Sequence, residues 1–420
     1  MKGVFIMNRG IIMKRGITTF LTVVILFTSV LSGKQVSAAT NNITIKNYVI
    51  RLVNALKLDT TNKTYYEVAI ENGLLKESEK IKLDKSLSNQ FAAVLTDRAE
   101  QIMLGDKYKY DKDLYDEIVS KNRISDIKKA SNSCHTSIYK MFSKGIMIGF
   151  SNGKYKHTRS FKPRTNITLT EAKTVINRLT TKSKRKKLSP DGQVIRTTNL
   201  PKNHKKYNYI LESFPNSFYE YKFRYQLNTY FYKPKELIDY ASPINVFKSM
   251  KQDERFHNGK MIYLDNWMKK VELNLKTRLN VDYRTIDNTW LNNLRSTYFI
   301  FNDAELDKDR TDDIKEYIKK VKKNKIIIKS SILAVEPSTM YYEYGYWIRV
   351  YVKFKASFAG TKIDQDELIY GKTIQLYGLK KDKWFDGVYD IKLATKNGRS
   401  DGSDYAVSDD SLNDYFFKKK

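Results

Sequence analysis

Apolar residues recur at helical spacing in three segments between residues 45 and 179. They are Ile45, Val49, Leu52, Val53 and Leu56 in the first segment, Leu87, Phe91, Val94, Leu95 and Ile102 in the second, and Ala172, Val175, Ile176 and Leu179 in the third. Apolar positions three, four and seven residues apart lie on one face of an α-helix. The spacing therefore predicts three amphipathic helices whose apolar faces share a core.

A shorter helical segment that ends at a glycine precedes the second and the third of these helices. The two segments are residues 65–75 and 137–147, and their glycines are Gly73 and Gly145. Glycine readily enters the left-handed backbone conformation that closes many helices. A short helix, a glycine, a polar loop and an amphipathic helix recur in this order, which predicts a degenerate internal repeat.

Strand periodicity dominates the second half of the chain. Between residues 346 and 355, apolar side chains alternate with a largely polar set, which predicts a strand with one solvent-exposed face. Further strands are predicted at 325–335, 366–379 and 384–395, with turns at Pro337, Gly345, Gly378 and Gly387. Flanking helices are predicted at 260–279, 290–294 and 311–323, the last beginning with Asp312 and Asp313. Helices followed by an antiparallel sheet are typical of an α+β domain.

The first 39 residues have the pattern of a secretory signal peptide. A basic start with Arg9, Lys14 and Arg15 precedes an uncharged apolar run at 17–31, and small residues follow at 36–39. The run is shorter than the roughly 20 residues that span a bilayer. The pattern predicts export with cleavage near residue 39; an uncleaved membrane anchor is the alternative. Later apolar runs are interrupted by charge, so we expect no membrane partner after cleavage.

A basic segment separates the helical part of the chain from the mixed part. Five of the six residues from Lys182 to Lys187 are Lys or Arg, and repulsion among like charges favours an extended, mobile chain. We therefore expect a multidomain protein. Its predicted parts are an all-α repeat module at 40–181 with three degenerate units, the first partial, a basic linker at 182–206, an α+β domain with a mainly antiparallel sheet at 207–400, and an unstructured tail at 401–420.

The net charge indicates an anionic partner. The chain has 76 Lys and Arg against 46 Asp and Glu, which gives a formal charge of +30, and such an excess attracts polyanions. Because an exported protein leaves the compartment that holds nucleic acid, we expect an acidic wall polymer and no nucleic acid. The single cysteine, Cys134, has no second thiol for an intramolecular disulfide.

No catalytic or metal-binding motif accompanies this charge. His204 and His257 lie far apart in the sequence, and the sequence has no nucleophile elbow, phosphate loop or zinc motif. We therefore expect no catalytic residue, metal or cofactor. A glycosidase remains an alternative, because it needs only two carboxylates within about 5 to 10 Å of each other. Carboxylates available in the second half include Asp265, Asp282, Asp287 and Glu343.

The segment from residue 143 to residue 179 resembles the S-layer homology family. The matching positions, in order, are Gly145, Ile146, Gly149, Gly153, Phe161, Pro163, Ile167, Thr168, Glu171 and Ala172. The resemblance implies a helical repeat module that holds a bacterial surface protein on an anionic secondary cell-wall polysaccharide. In that family an arginine after the threonine contacts the polysaccharide; here Ile45, Ser88 and Leu169 stand at that position.

The resemblance and the local charge together indicate which residues would bind the polymer. Thr168 and Glu171 also have the spacing of a capping box, which opens a helix. Other cations must replace the missing arginine. The expected polymer-binding residues are Lys46, Lys144, Gly149, Lys154, Arg159, Lys162, Thr168 and Glu171.

We therefore expect a secreted protein of the cell wall or cell surface of a Gram-positive bacterium. Its C-terminal domain would face outward and, with its many Tyr and Trp residues, would meet a protein or glycan partner. Two alternatives remain open at this point. One is a wall- or polysaccharide-modifying enzyme with its active site in the C-terminal domain, and the other is a secreted adhesin or virulence factor.

Overall fold

The computed structural model describes residues 41–224, 242–252, 262–299, 304–394 and 405–413. The predicted signal peptide and His257 lie outside these residues. The described residues from Asn42 onward form one compact unit. Within the described ranges, no helix has both the length and the apolar composition needed to cross a membrane.

Within the described residues up to 180, six α-helices are the main elements. They are α1 (Ile45–Leu56), α2 (Tyr65–Glu71), α3 (Asn89–Leu104), α4 (Lys112–Ser120), α5 (Asn132–Ser143) and α6 (Leu169–Thr180). The three predicted amphipathic helices are confirmed as α1, α3 and α6, and their apolar faces belong to one buried cluster. A two-stranded ribbon, β1 (Phe150–Ser151) with β2 (Arg159–Ser160), lies between α5 and α6.

The same local chemistry starts α1, α3 and α6. The side chains of Thr44, Ser88 and Thr168 each accept a hydrogen bond from the backbone N–H three residues later, which satisfies a donor that the first turn leaves free.

The residues just before these caps are hydrogen-bonded to one another in a closed ring. The Ile43 N–H donates to the Ile167 carbonyl at 3.1 Å, the Ile167 N–H donates to the Leu87 carbonyl at 2.8 Å, and the Leu87 N–H donates to the Ile43 carbonyl at 2.9 Å. Three corresponding chain positions thus meet at one point, as three related units around a common centre would.

The second half is built on a five-stranded antiparallel sheet with the strand order β3-β4-β5-β7-β8. The strands are β3 (Val281–Asp282), β4 (Ile327–Tyr342), β5 (Tyr346–Ser357), β7 (Phe385–Ala394) and β8 (Ala406–Asp409). Strands β6 (Ile374–Gln375) and β9 (Leu412–Asn413) form a short parallel pair. The prediction of an α+β fold with a mainly antiparallel sheet is confirmed.

Helices accompany this sheet. They are α7 (Asn216–Glu220), α8 (Pro243–Gln252), α9 (Ile262–Arg278), α10 (Asn288–Arg295), α11 (Ala304–Lys323) and α12 (Gln365–Leu368). Trp267, Val271 and Leu275 of α9 are buried in the same apolar cluster as Val350 and Val352 of β5.

Several local predictions in this half are wrong. Helix α11 begins at Ala304 rather than at residue 311, so Asp312 and Asp313 lie within it. Residues 366–379 form the end of α12 and the two-residue β6 instead of a long strand. Pro337 lies inside β4, where a shift of register between Glu336 and Tyr341 leaves the proline without a ladder partner.

The tail is not unstructured where it is described. Residues 406–409 form an edge strand of the sheet, and Val407 and Leu412 are fully buried. The tail therefore adds apolar side chains to the core, although its mixed-charge sequence does not indicate burial.

The polar face of β5 is covered rather than exposed at its start. Arg349 is fully buried and paired with Asp390, with its Nε 2.9 Å from Oδ1. The guanidinium also donates to the carbonyls of Phe218, Tyr221 and Lys222. Residues 216–222 thus cover this face, and the buried charge is paired and hydrogen-bonded as burial demands.

Residues 182–206 differ from the extended, mobile linker that their charge predicts. Ser189, Asp191, Gln193 and Val194 are buried. Asp191 pairs with the buried Arg123, whose Nη2 lies 2.6 Å from its Oδ2, and the turn closes on the hydrogen bond between Gln193 N–H and Ser189 Oγ. The basic residues before residue 188 predict an exposed linker, so the sequence does not indicate that the turn after them is buried and paired.

Candidate functional site

A cavity of about 210 Å³ lies where α6 faces the loop that follows α5. Its wall combines an apolar loop with one polar side of α6. The lining residues are Asn89, Ile146, Met147, Ile148, Gly149, Phe150, Phe161, Ile167, Thr170, Glu171, Thr174, Val175 and Arg178. We call this cavity the α6 groove.

Two glycines let the loop take its path. Gly145 and Gly149 have φ of 68° and 60°, a region that L side chains rarely adopt. A Cβ atom on Gly149 would lie 2.4 Å from the carbonyl oxygen of Ser160, and one on Gly145 would lie 1.9 Å from that of Lys186. Close backbone approach therefore requires glycine at both positions, and it fixes the loop that forms the floor of the groove.

Arg178 supplies the positive charge of the groove. One guanidinium nitrogen, Nη1, donates to the carbonyl of Ile146 at 3.2 Å. No carboxylate of the described chain pairs with it. Burial lowers the pKa of Arg178, and the charge of Arg159 adds to this shift. The group nevertheless stays charged at neutral pH, so the groove holds a cation whose remaining N–H groups are available to an anion.

The second predicted repeat unit contains a matching arginine that is already paired with a carboxylate. Arg98 follows its cap, Ser88, by ten residues, as Arg178 follows Thr168, and its Nη1 donates to the Leu74 carbonyl at 3.2 Å. Glu79, however, accepts from both Nη atoms of Arg98, at 2.8 and 3.1 Å. The corresponding position in the first unit is Asn54. The third unit is thus distinguished by an unpaired arginine.

An exposed aromatic ring borders the groove. Phe150 is 41% exposed, although burial of a phenyl ring away from water would be energetically favourable. The Nζ atom of Lys162 lies 4.3 Å from the centroid of this ring. Lys162 therefore places a second cation beside the groove.

Besides Lys162, three of the predicted binding residues lie in or next to the groove. Gly149 and Glu171 line it, and Thr168 forms the predicted capping box with Glu171. Thr168 Oγ1 accepts from the Glu171 N–H at 3.2 Å, and Glu171 Oε2 accepts from the Thr168 N–H at 2.8 Å. The carboxylate is therefore engaged at the helix start, where the helix dipole also favours it.

Arg159 supports the loop from beneath. It donates to the carbonyls of Ile148 and Gly149 at 2.8 and 3.0 Å, and it pairs with Glu212, with 2.7 Å between Nη1 and Oε1. Arg159 therefore positions the loop of the groove, because its charge is already paired with Glu212.

The remaining predicted cations lie apart from the groove. Lys144 is buried against Glu100, with its Nζ 2.6 Å from Oε2 and 3.8 Å from the centroid of the Tyr108 ring; burial lowers its pKa. Lys46 and Lys154 are exposed and do not line the groove.

Sequence reasoning missed Arg178 and Phe150. A signal for Arg178 exists, because Glu171, Thr174 and Arg178 have the spacing i, i+3 and i+7, which places them on one face of α6. Phe150 has no such signal, because nothing in the local pattern shows that its ring stays exposed.

No group of His, Cys, Asp or Glu side chains within the described ranges is arranged to hold a metal ion. Comparison with known proteins adds no relative: no protein-family model, no curated protein and no solved structure matches the chain. The chain is therefore described by its fold, with helices in the first half and a five-stranded antiparallel sheet in the second.

Proposed function

We propose that the chain is a secreted bacterial surface protein that attaches without a covalent bond to an anionic secondary cell-wall polysaccharide, and that the α6 groove is the attachment site. The observation that carries the proposal is the unpaired Arg178 in a groove bordered by the exposed ring of Phe150.

The groove has the two kinds of contact that an acidic sugar needs. An aromatic ring packs against the apolar face of a sugar ring. A guanidinium donates two parallel hydrogen bonds to a carboxylate or phosphate. Lys162, whose Nζ lies over the Phe150 ring at 4.3 Å from its centroid, adds positive charge beside the groove, within the roughly 8 Å over which charges act at physiological salt.

The repeat supports the resemblance to the S-layer homology family. The ring of Ile43, Leu87 and Ile167 relates three units, in agreement with three degenerate repeats. Because these units lack the arginine after the cap, the polymer contact in this chain falls to Arg178 on a later turn of the third helix.

An enzyme that modifies wall polysaccharide is the second candidate. A cavity of about 650 Å³ is lined by Asp116, Glu117, Asp191 and Asp265 among others. Lys121 holds two of these carboxylates together, with its Nζ 2.6 Å from Asp265 and 2.9 Å from Glu117, and burial raises the pKa of Asp265. Release of soluble reducing sugar from walls, lost in Asp265→Asn, would favour this candidate.

Two arginine variants, Arg178→Gln and its control Arg98→Gln, test the groove. We expect Arg178→Gln in the full chain to weaken binding to purified cell walls at least tenfold, because one lost charge-assisted hydrogen-bonded contact is worth about 1.5–3 kcal/mol. Co-sedimentation with walls at physiological salt measures this.

The control is Arg98→Gln, which removes the same charge at the corresponding position of the second unit, where Glu79 already neutralises it. We expect Arg98→Gln to bind as the unaltered chain does. Equal weakening by both variants would mean that the overall charge of the chain determines wall binding. It would contradict the proposal that the α6 groove is the attachment site.

A further inference from the structure

One face of the five-stranded sheet presents a group of lysines. In β5, Val352 and Phe354 are buried in the apolar core. Because successive side chains of a strand point to opposite faces, Lys353 and Lys355 lie on the other face. Both are partly exposed, and Lys329 of β4, which lies opposite Lys355, is exposed. Three lysines of two neighbouring strands therefore lie on one side of the sheet.

The same face is covered further along β5. Residues 216–222 lie over it, and the Tyr155 ring stacks on that of Tyr351. The next residue, Lys156, is exposed, and its Nζ donates to the carbonyl of Ser331 in β4 at 3.3 Å. Lys156 thus adds a fourth cation where the cover ends.

Two of these lysines repel each other. Lys329 and Lys355 are register partners in the β4–β5 ladder, and side chains directly opposite each other on antiparallel strands have Cβ atoms about 4.5–5.5 Å apart. Like charges in this arrangement destabilise a sheet. Neither ammonium group has a carboxylate within ion-pair distance in the part of the chain that the structure describes. An anion bound between them would remove the repulsion.

Three acids lie beside these lysines, and each has a partner. Asp282 pairs with Arg284. Asp386, opposite Lys353 in the register, accepts from a tyrosine hydroxyl of β5 at 2.9 Å. Asp382 accepts from the hydroxyl of the last residue of β5. The four lysines and Arg284 outnumber these three acids, so the local charge is positive.

An exposed indole ring lies at the same end of the sheet. Trp384, which immediately precedes β7, is 48% exposed. The Nζ atom of Lys355 lies 5.3 Å from the centroid of this ring. The surface therefore combines positive charge with a flat aromatic group. We call it the lysine face and define it by Lys156, Lys329, Lys353, Lys355 and Trp384.

We propose that the lysine face binds an anionic polysaccharide, as a contact surface separate from the α6 groove. Its cations complement the repeated negative charges of such a polymer, and Trp384 offers a ring on which a sugar packs. Nucleic acid carries similar charge. The choice of a polysaccharide rests on the export that the proposed function includes, because the acidic polymers of a cell wall are polysaccharides.

Equilibrium binding of the full chain to heparin, a soluble sulfated polysaccharide, tests this face at physiological salt. We expect Lys329→Gln/Lys355→Gln to weaken binding at least tenfold. Trp384→Ala, which leaves the charge unchanged, should weaken it at least threefold. Thermal unfolding checks the fold of the double variant: because a like-charge repulsion is removed, its midpoint should not fall.

The matched control is Lys82→Gln/Lys85→Gln, which removes two exposed lysines that precede α3. A chain of charge +30 also attracts polyanions diffusely, and this control measures that contribution. Tenfold weakening by the first pair, with less than twofold weakening by the control, supports the lysine face. Equal weakening by the two pairs, or unchanged binding by Trp384→Ala, overturns it.

Two further results separate this proposal from its neighbours. Tighter binding of single-stranded DNA than of heparin, with the same loss in Lys329→Gln/Lys355→Gln, would assign the face to nucleic acid and overturn the proposal. Unchanged wall binding by Arg178→Gln would contradict the α6 groove alone, because the heparin comparison of the two lysine pairs does not depend on that arginine.

Discussion

One buried carboxyl, that of Glu336, has a different protonation state at neutral pH from that of an exposed glutamate. Glu336 is fully buried in β4, where it accepts hydrogen bonds from Ser338 Oγ at 2.8 Å and from the Tyr219 hydroxyl at 3.2 Å. Burial raises the pKa of its carboxyl to about 8. The group is therefore mostly protonated at neutral pH in the folded chain, whereas in the unfolded chain it is ionised.

This difference makes stability depend on pH. Between pH 4.5, the ordinary value, and pH 8, the folded chain holds a proton that the unfolded chain has lost. Its contribution to the free energy of unfolding therefore falls as pH rises through this window, by about 1.4 kcal/mol per pH unit, and is constant above about pH 8. We expect Glu336→Gln to remove this slope, as measured by urea unfolding at pH 5.5, 6.5 and 7.5.

Glu77→Gln, at an exposed acid, is the control for this experiment and should keep the slope. If the slopes of the unaltered chain and of Glu336→Gln were the same, the proton would not reside on Glu336.

At the scale of elements, local sequence predicted the helices better than the strands. Caps such as Thr168 with Glu171, and apolar stripes such as that of α1, are set by neighbours within one or two turns, so the sequence shows them. The short strands β6 and β8 depend on distant partners. Residues 366–379 have strand composition but pair only at Ile374–Gln375, and the buried tail is held by contacts that no local pattern records.

The turn glycines of the groove give a prediction at this scale. Gly149 and Gly73 have similar positive φ angles, 60° and 73°, but an added Cβ meets the Ser160 carbonyl at Gly149, whereas at Gly73 nothing lies within 4 Å. We expect Gly149→Ala to lower the free energy of unfolding by about 1–3 kcal/mol more than Gly73→Ala, because it adds a steric clash to the strain that a positive φ causes at both positions. Thermal and urea unfolding of the two variants measure the difference.

Equal destabilisation by the two alanines would show that the loop relaxes away from Ser160. In that case, close backbone approach would not fix the floor of the groove.

At the scale of the whole molecule, the helical first half and the sheet of the second half contact each other, whereas a mobile basic linker between them would leave them apart. The ring of Tyr155, in the loop before β2, stacks on that of Tyr351 in β5, with centroids 3.5 Å apart and planes 7° from parallel. Arg123 and Asp191 tie the helices to the segment that follows them. Composition predicted a mobile chain at 182–206 because charge density is visible in the sequence, whereas a single buried partner is not.

The candidate site was predicted only in part for a similar reason. The glycine and the capping acid of the groove, Gly149 and Glu171, follow from a motif. Whether a cation is free depends on which carboxylate folds next to it: Lys144, Arg159 and Arg98 are paired in the structure, and Arg178 is not. Counting basic residues cannot separate these cases.

Binding of the full chain to purified cell walls, before and after their anionic polysaccharide has been chemically removed, tests the central claim most directly. At physiological salt we expect the chain to co-sediment with intact walls and to bind stripped walls at least tenfold more weakly, since stripping removes the proposed ligand of the groove. Equal binding to intact and stripped walls would contradict the claim.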